Sequence, residues 1–159
     1  IIHNSLIIFF SFICVNIKSM EKNIKILVFL IFFACSTKED YIPLVNVNEQ
    51  IDLNLPEFIQ LKTPGATMFI EGGVKGIVVF NSGANNYKAY DRNCSYKPSL
   101  ECSIIDSVNS SFVLCSCCGS AFLLDQDGTA VNSPAIIGLR QYECNLDLNT
   151  NILYITTKY

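Results

Sequence analysis

The sequence predicts an all-β domain, and three observations carry that prediction. Apolar residues occupy the odd positions from Val45 to Leu55 except position 49, with polar residues between them, which is the period-two pattern of a half-buried strand. Further short apolar segments follow, separated by turn signals such as Asp127-Gly128. No long helical period appears among them. Short strands at regular spacing predict stacked antiparallel sheets.

Turn residues bound the predicted strands. The alternating segment at 45–55 predicts a strand pair, which ends at Pro56 and Pro64. A Gly72-Gly73 turn predicts a hairpin that joins 66–71 to 76–80, and a polar loop at 82–86 leads into the next strand. The later strands are predicted at 87–91, 111–115, 121–124, 141–148 and 151–157, and the last two form a hairpin.

Composition limits the classes of function. The chain has 159 residues, a length that suits one domain and a targeting segment. Its net charge is -3 and no cluster of Lys or Arg occurs, which argues against nucleic-acid binding. The eight cysteines indicate disulfides formed in an oxidising compartment, a metal site, or both.

The N-terminal region predicts a lipoprotein of the cell envelope. Residues 1–19 are interpreted as a segment upstream of the start at Met20. Residues 20–35 follow the pattern of a lipoprotein signal peptide, with two lysines, an apolar stretch at 26–33 and a small residue before Cys35. The apolar stretch is shorter than the ~20 residues that span a bilayer. We therefore expect Cys35 to carry a lipid anchor, on the periplasmic or cell-surface side of the outer membrane.

Residues 36–48 are predicted to be a tether between this anchor and the domain. Residues 36–40 are polar and charged, and they resemble the acidic stretch after the lipidated cysteine in lipoproteins of Bacteroidetes-type bacteria. In those lipoproteins the stretch can direct surface display.

Two cysteine segments carry the most specific motif of the chain. They are Cys94-Ser95-Tyr96 and the stretch from Cys115 to Phe122, which reads CSCCGSAF. Together they resemble the two ligand loops of a Rieske iron–sulfur domain. The resemblance covers residues 49–159 and includes the segments 90–94, 125–128, 132–135 and 139–142. It implies three antiparallel sheets, with a cluster at the tip of a small subdomain between two loops.

The resemblance also implies roles for individual residues. A Rieske domain holds a [2Fe–2S] cluster with two Cys and two His ligands. Cys94 and Cys115 match the two thiolate ligands, whereas Tyr96 and Cys118 stand at the two histidine positions. The chain has one histidine, His3, so a standard Rieske centre cannot form.

The resemblance further implies a disulfide beside the ligand positions. Cys117 matches a non-ligand cysteine that bonds to the first loop in some Rieske proteins, and its partner here is then Cys102. Their Cα atoms are expected about 4.4–6.8 Å apart. Cys144 lies on the last predicted hairpin and is expected away from that tip, either buried as a small hydrophobic residue or paired with a leftover thiol.

Three states of the cysteine loops remain open. In the first, disulfides such as Cys94–Cys115 or Cys94–Cys118 replace the cluster and no cofactor is bound. In the second, zinc binds Cys94, Cys102, Cys115 and Cys118. In the third, an atypical iron–sulfur centre uses Cys94, Cys115 and Cys118, with Tyr96 or Cys102 as its remaining ligand.

The favoured function is that of a non-enzymatic structural or interaction module, held at the envelope and stapled by disulfides. The alternative is an electron-transfer protein with an atypical [2Fe–2S] or zinc centre, serving at most as a subunit of an oxidoreductase. A mature chain without histidine has no Ser/His/Asp or Cys/His catalytic arrangement, so an enzyme acting alone is the least supported class. The expected partners are the membrane, through the lipid anchor, and an envelope protein that the sequence does not name.

Overall fold

The structure is a computed structural model and describes residues 41–158. In this range the chain forms ten β-strands and one short 3-10 helix, so the predicted all-β fold class is confirmed. The strands are β1 (Asn48–Asp52), β2 (Thr67–Ile70), β3 (Ile77–Gly83), β4 (Asn86–Asp91), β5 (Ser107–Asn109), β6 (Phe112–Leu114), β7 (Ala121–Leu123), β8 (Thr129–Asn132), β9 (Gln141–Asp147) and β10 (Ile152–Thr156). The 3-10 helix spans Ile59–Lys62.

The strands of this range form two antiparallel sheets. The six-stranded sheet has the order β1-β10-β9-β4-β3-β2, and the four-stranded sheet has the order β5-β6-β7-β8. The Rieske resemblance implies three sheets, and the described strands form three antiparallel ladders: β1-β10-β9, β4-β3-β2 and β5-β6-β7-β8. A short pairing of β4 with β9, in which Ala89 lies opposite Tyr142, joins two three-stranded ladders into one sheet.

The hairpin of β3 and β4 lies between two hydrophobic cores. Successive side chains of a strand point to opposite faces, so Ile77 and Val79 enter one core whereas Val78 and Phe80 enter the other. The first, called here the strand core, consists of Val47, Ile51, Leu53, Leu61, Ile77, Val79, Tyr87, Ala89, Tyr142, Leu153 and Ile155. The second, called the tip core, consists of Val78, Phe80, Tyr90, Cys94, Ile105, Val113, Cys115, Phe122, Leu124, Ala135 and Leu139.

The alternating segment at 45–55 contributes one strand, β1, rather than the predicted strand pair. Val47, Ile51 and Leu53 are buried, as the pattern predicts. Leu55 is exposed because the chain leaves the sheet in a turn after Asp52, whose backbone carbonyl accepts a hydrogen bond from the Leu55 N–H at 3.1 Å. The partner of β1 is β10.

The later predicted strands form close to their predicted positions. The hairpin predicted at 66–80 is β2–β3, and the last hairpin is β9–β10. Two elements have little sequence signal. All residues of β5 are exposed, and the 3-10 helix buries only Leu61.

The packed domain begins upstream of residue 49. Residues 41–48 belong to the predicted tether, yet Ile42 is 1% exposed. Arg140 donates a hydrogen bond from Nε to the Ile42 carbonyl at 3.0 Å, and its guanidinium lies 4.8 Å from the Tyr41 ring centroid. The second half of the predicted tether is therefore part of the folded unit.

The predicted signal peptide, the lipidation site Cys35 and residues 36–40 lie outside the described residues. Among residues 41–158, no helix is long and apolar enough to cross a membrane.

Candidate functional site

The first cysteine loop continues from the end of β4. Asn93 pairs with Ile104 in an isolated antiparallel bridge, and the Cys94 N–H donates to the Ser103 carbonyl at 3.1 Å. The Ser103 hydroxyl donates to the Tyr96 carbonyl at 3.0 Å. The loop from 94 to 103 is therefore closed at its base, with Cys94 buried at the start.

Lys75 holds the far side of this loop. Its Nζ donates to the carbonyls of Pro98 and Ser103, both at 3.1 Å, and to the carbonyl of Leu100. An ammonium group has three donors, and all three are used on loop carbonyls. The turn between β2 and β3 thus supplies a positive charge that ties down the first cysteine loop.

Asp91, the last residue of β4, fixes the start of the same loop. Its carboxylate is fully buried and accepts hydrogen bonds from the N–H groups of Val74 at 2.6 Å and Asn93 at 2.7 Å, and from the Tyr142 hydroxyl at 2.6 Å. Burial, followed by the neighbouring Asp91 carboxylate, raises the pKa of Tyr142, so its hydroxyl stays protonated and donates.

The second cysteine loop is a tight turn between β6 and β7. The Cys115 N–H donates to the Ser120 carbonyl at 2.9 Å, and the Gly119 N–H donates to the Cys115 carbonyl at 2.8 Å. Gly119 has a φ of 78°, in the left-handed region that favours glycine. Asp106 accepts hydrogen bonds from the N–H and the hydroxyl of Ser116 at 3.1 and 2.9 Å, which ties the turn to the strand before it.

A disulfide joins the two loops. Cys102 and Cys117 are bonded with their Cα atoms 5.6 Å apart, so the predicted pairing is confirmed. Both residues are exposed. The cysteine loops therefore face each other as a small subdomain, which is the arrangement that the Rieske resemblance implies.

Three free thiols converge beneath this disulfide. The sulfurs of Cys94, Cys115 and Cys118 all lie within 4.8 Å of one another, and Sγ of Cys94 is 3.6 Å from Sγ of Cys118. Cys94 and Cys115 are fully buried, whereas Cys118 is half-buried. We call these three residues the thiol group.

Backbone N–H groups act to lower the pKa of each thiol: that of Tyr96 for Cys94, that of Cys118 for Cys115, and that of Ser120 for Cys118. The Cys118 N–H also donates to the Cys115 carbonyl at 3.3 Å. The Ser120 hydroxyl lies 3.1 Å from Sγ of Cys118. The Cys118 thiol donates to this oxygen, which also accepts the Ala135 N–H at 3.0 Å.

The environment separates the acidities of these thiols. Burial raises the pKa of Cys94 and of Cys115; both neighbouring thiols raise the pKa of Cys94 further, whereas for Cys115 the Cys118 thiol raises it and the Cys94 thiol lowers it. Burial also acts on Cys118, but the hydrogen bonds from Ser120 and from the other two thiols outweigh it and lower the pKa of Cys118. Among the three thiols, Cys118 is therefore the one whose thiolate form is favoured.

The remaining sequence-predicted residues lie in different settings. Tyr96 packs half-buried against the tip core, with the Lys97 ammonium 5.3 Å from its ring centroid. Cys102 is held in the disulfide. No bridge joins Cys94 to Cys115 or to Cys118. Cys144 is a free thiol on β9, packed against the strand core, as expected for a small hydrophobic residue away from the tip.

The donor set does not fit a Rieske cluster. That cluster has two irons with two ligands each, two of them imidazoles. The thiol group supplies three convergent sulfurs, residues 41–158 contain no histidine, and Cys102 is bonded to Cys117. The residues present fit a centre that is held by thiolates.

Sequence analysis missed the residues that position the loops. Lys75, Asp91 and Asp106 bind the loops through backbone groups, and their partners are distant in sequence. For Asp91 a signal exists, since a carboxylate that ends a buried strand just before Cys94 needs hydrogen-bond donors. For Lys75 the sequence contains no signal that predicts its contacts with the first cysteine loop.

No protein-family model matches the chain, and no curated protein matches it. Among solved structures, it is similar to a chain of the complex of reduced oxygenase and oxidized ferredoxin in carbazole 1,9a-dioxygenase, at 15% identity and a TM-score of 0.48, over 74% of this chain and 98% of that chain. It is also similar to the ferredoxin of carbazole 1,9a-dioxygenase from Nocardioides aromaticivorans IC177, at 16% identity and a TM-score of 0.43, over 62% of this chain and 93% of that chain. Similarity at this level carries no functional argument.

Proposed function

We propose that this domain is a metal-binding module, and that its centre is formed by the thiolates of Cys94, Cys115 and Cys118. The observation that carries the proposal is the convergence of three free sulfurs within 4.8 Å. Thiolates are the protein ligands that soft and borderline metal ions prefer.

The surroundings of the sulfurs support a charged centre rather than apolar packing. A buried thiol that only fills space needs no hydrogen-bond donors, because it behaves as a small hydrophobic side chain. Here nearby backbone N–H groups act to lower the pKa of each thiol, and at Cys118 the contacts with Ser120 and the other two thiols outweigh burial. The lowered pKa of Cys118 favours its thiolate, which is the state that binds metal.

The identity of the ion decides the role of the module. An iron ion at the thiol group makes the domain an electron carrier for an envelope oxidoreductase, in line with the electron-transfer function predicted as the alternative. A zinc ion has no redox chemistry and makes it a structural or ligand-binding site. Metal analysis of the purified protein separates these roles.

A disulfide-stapled interaction module remains the second candidate function. Two observations favour it: the Cys102–Cys117 bond, and the 3.6 Å between the sulfurs of Cys94 and Cys118, which a second disulfide would shorten. This candidate predicts purified protein that holds no metal and has Cys94 bonded to Cys118.

The test compares three full-length proteins purified without oxygen and without chelators. We expect about one equivalent or more of bound metal in the unchanged protein, loss of that metal in Cys115→Ser, and no loss in Cys144→Ser. Cys144 is the matched control because it is a free thiol outside the thiol group. Metal-free unchanged protein, or metal retained in Cys115→Ser, would reject the proposed centre.

We further propose that a lipid on Cys35 anchors the domain at the cell envelope. The support is the sequence of residues 20–35, which follows the pattern of a lipoprotein signal peptide. Cys35→Ser is expected to release the domain from the membrane fraction or to leave an unprocessed precursor. A fully processed Cys35→Ser protein that stays on membranes contradicts this anchor.

A further inference from the structure

We propose that the thiol group binds a single metal ion through three thiolates and leaves one coordination position to a ligand from outside these loops. This inference rests on the proposed function, that the cysteine loops hold a metal. It goes further, because it gives the number of ions and predicts an open position.

The spacing of the sulfurs matches one tetrahedral ion. Zinc–sulfur bonds of about 2.3 Å place the sulfurs of a tetrahedral site about 3.8 Å apart. The sulfurs of Cys94 and Cys118 are 3.6 Å apart, and all three sulfurs lie within 4.8 Å of one another. The first distance is close to the edge of such a tetrahedron, and the upper limit for the other two is about 1 Å longer than that edge.

Two irons need more ligands than converge here. A two-iron cluster takes a pair of protein ligands on each iron. The thiol group supplies one pair and one further sulfur, while Cys102 is used in the disulfide with Cys117. The convergent cysteine, histidine and carboxylate donors of residues 41–158 are one short for two irons and are enough to hold one.

The charge of a single-ion site is also compensated. Three thiolates and a divalent ion carry a net charge of about −1. The backbone N–H groups of Tyr96, Cys118 and Ser120, which act to lower the pKa values of the three thiols, offset this charge at a buried site. The Asp106 carboxylate, which bears the same sign, is turned to Ser116.

The fourth position opens on the side of Cys118. Cys94 and Cys115 are fully buried, so solvent reaches the group past the half-buried Cys118. A side chain added at the neighbouring Gly119 would meet no atom within 4 Å, which shows that this side of the turn is open. Three protein ligands and an open position are the arrangement of sites that accept a water or an external ligand. We expect water at this position, where a small thiol can displace it.

The experiment uses cobalt(II) as a probe for zinc, on full-length protein prepared without oxygen. We expect one cobalt per chain, the intense visible bands of a tetrahedral thiolate site, and a shift of those bands when a small thiol such as 2-mercaptoethanol is added. A spectrum that does not respond to the small thiol overturns the open position.

A parallel sample receives iron(II) and sulfide in place of cobalt. Two irons and two acid-labile sulfides per chain overturn the single-ion inference and leave the proposed function intact. Protein that binds neither cobalt nor iron rejects the proposed function itself, so the two failures are distinguishable.

Two variants at Cys118 test its place as the third ligand. Cys118→Ser is expected to weaken cobalt binding by at least about tenfold, because one thiolate is lost. Cys118→His is expected to keep the ion and lose part of the sulfur-to-cobalt absorption, because an imidazole replaces a sulfur. Circular dichroism confirms that each variant is folded. Unchanged cobalt spectra in both folded variants contradict the three-thiolate site.

Discussion

The lone thiol on β9 and the thiol group at the tip show how differently the same side chain behaves in a strand and in a loop. Cys144 pairs across the sheet with Ile155 and packs against the strand core. In a sheet, neighbouring N–H groups are used in the ladder, so they do not reach a side-chain sulfur. In the tight turn at Cys115, the N–H groups of Cys118 and Ser120 act to lower the pKa values of Cys115 and Cys118. Backbone geometry therefore makes one thiol a packing residue and the other three a polar centre.

The largest expected effect comes from shortening one side chain in each core. Phe122 follows the second cysteine loop in the tip core, and Leu153 lies in the strand core, both fully buried. We expect Phe122→Ala to lower the free energy of unfolding by about 3–5 kcal/mol and Leu153→Ala by about 2–5 kcal/mol. Urea denaturation measures both.

The same pair of variants tests whether the two cores act separately. Phe122→Ala is expected to weaken zinc binding by the folded protein, measured by competition with a chelator, because the loop loses its support. Leu153→Ala is expected to leave zinc affinity unchanged. Equal zinc affinities in the two variants would mean that the tip does not depend on its own core.

The second prediction removes the disulfide that joins the two loops. The bond between Cys102 and Cys117 closes a sequence separation of 15 residues. The double variant Cys102→Ser with Cys117→Ser is expected to lose about 3 kcal/mol in the free energy of unfolding, because the unfolded chain gains freedom. Urea denaturation without reductant measures the loss, and the unchanged protein in reductant is the control. Metal content is expected to persist, so its loss would show that the thiol group needs the bond.

The third prediction concerns the buried carboxylate below the first loop. Asp91→Asn places an amide group against N–H donors from Val74 and Asn93 and is expected to lower the free energy of unfolding by about 1.5–3 kcal/mol. Urea denaturation measures the change. The exposed Asp125 gives the matched control, since Asp125→Asn is expected to change stability by less than about 0.5 kcal/mol. Equal changes in both variants contradict the positioning role of Asp91.

The last prediction involves the smallest structural change and concerns the lone thiol: the alkylation rate of Cys144 is expected to depend on pH. Burial, and then the Glu143 carboxylate, raise the pKa of Cys144 from its ordinary value of 9.0 to about 12. A raised pKa leaves less thiolate at a given pH, and thiolate is the reactive form, so alkylation at pH 8 is expected to be roughly 1000-fold slower in the folded protein than in urea. Peptide mass spectrometry after iodoacetamide treatment measures it.

The rate at Cys144 is also expected to rise about tenfold for each pH unit, until the pH approaches the raised pKa. The measurement in urea, where the ordinary pKa applies, is its control. Equal rates in the folded and the unfolded protein contradict the burial of this sulfur.

Local sequence predicted the regular part of the fold well. The alternation from Val47 to Leu53 and the Gly72-Gly73 turn depend on neighbouring residues only, so they are readable from the chain. The prediction fails at Leu55 because an adjacent turn ends the strand, and at β5 because its three residues are exposed and its place in the sheet depends on β6. Short strands of this kind form through their partner rather than through their own pattern.

The sequence by itself determined the cysteine segments and their missing histidines, and its resemblance to a Rieske domain implied the pairing of Cys102 with Cys117. Only the tertiary structure decided that Cys94, Cys115 and Cys118 stay free and converge within 4.8 Å. It also placed two residues against the first cysteine loop: Lys75, in the turn between β2 and β3, and Asp91, at the end of β4. The physical reason is that hydrogen bonds and sulfur distances between loops depend on how two sheets pack, and no local pattern encodes that packing.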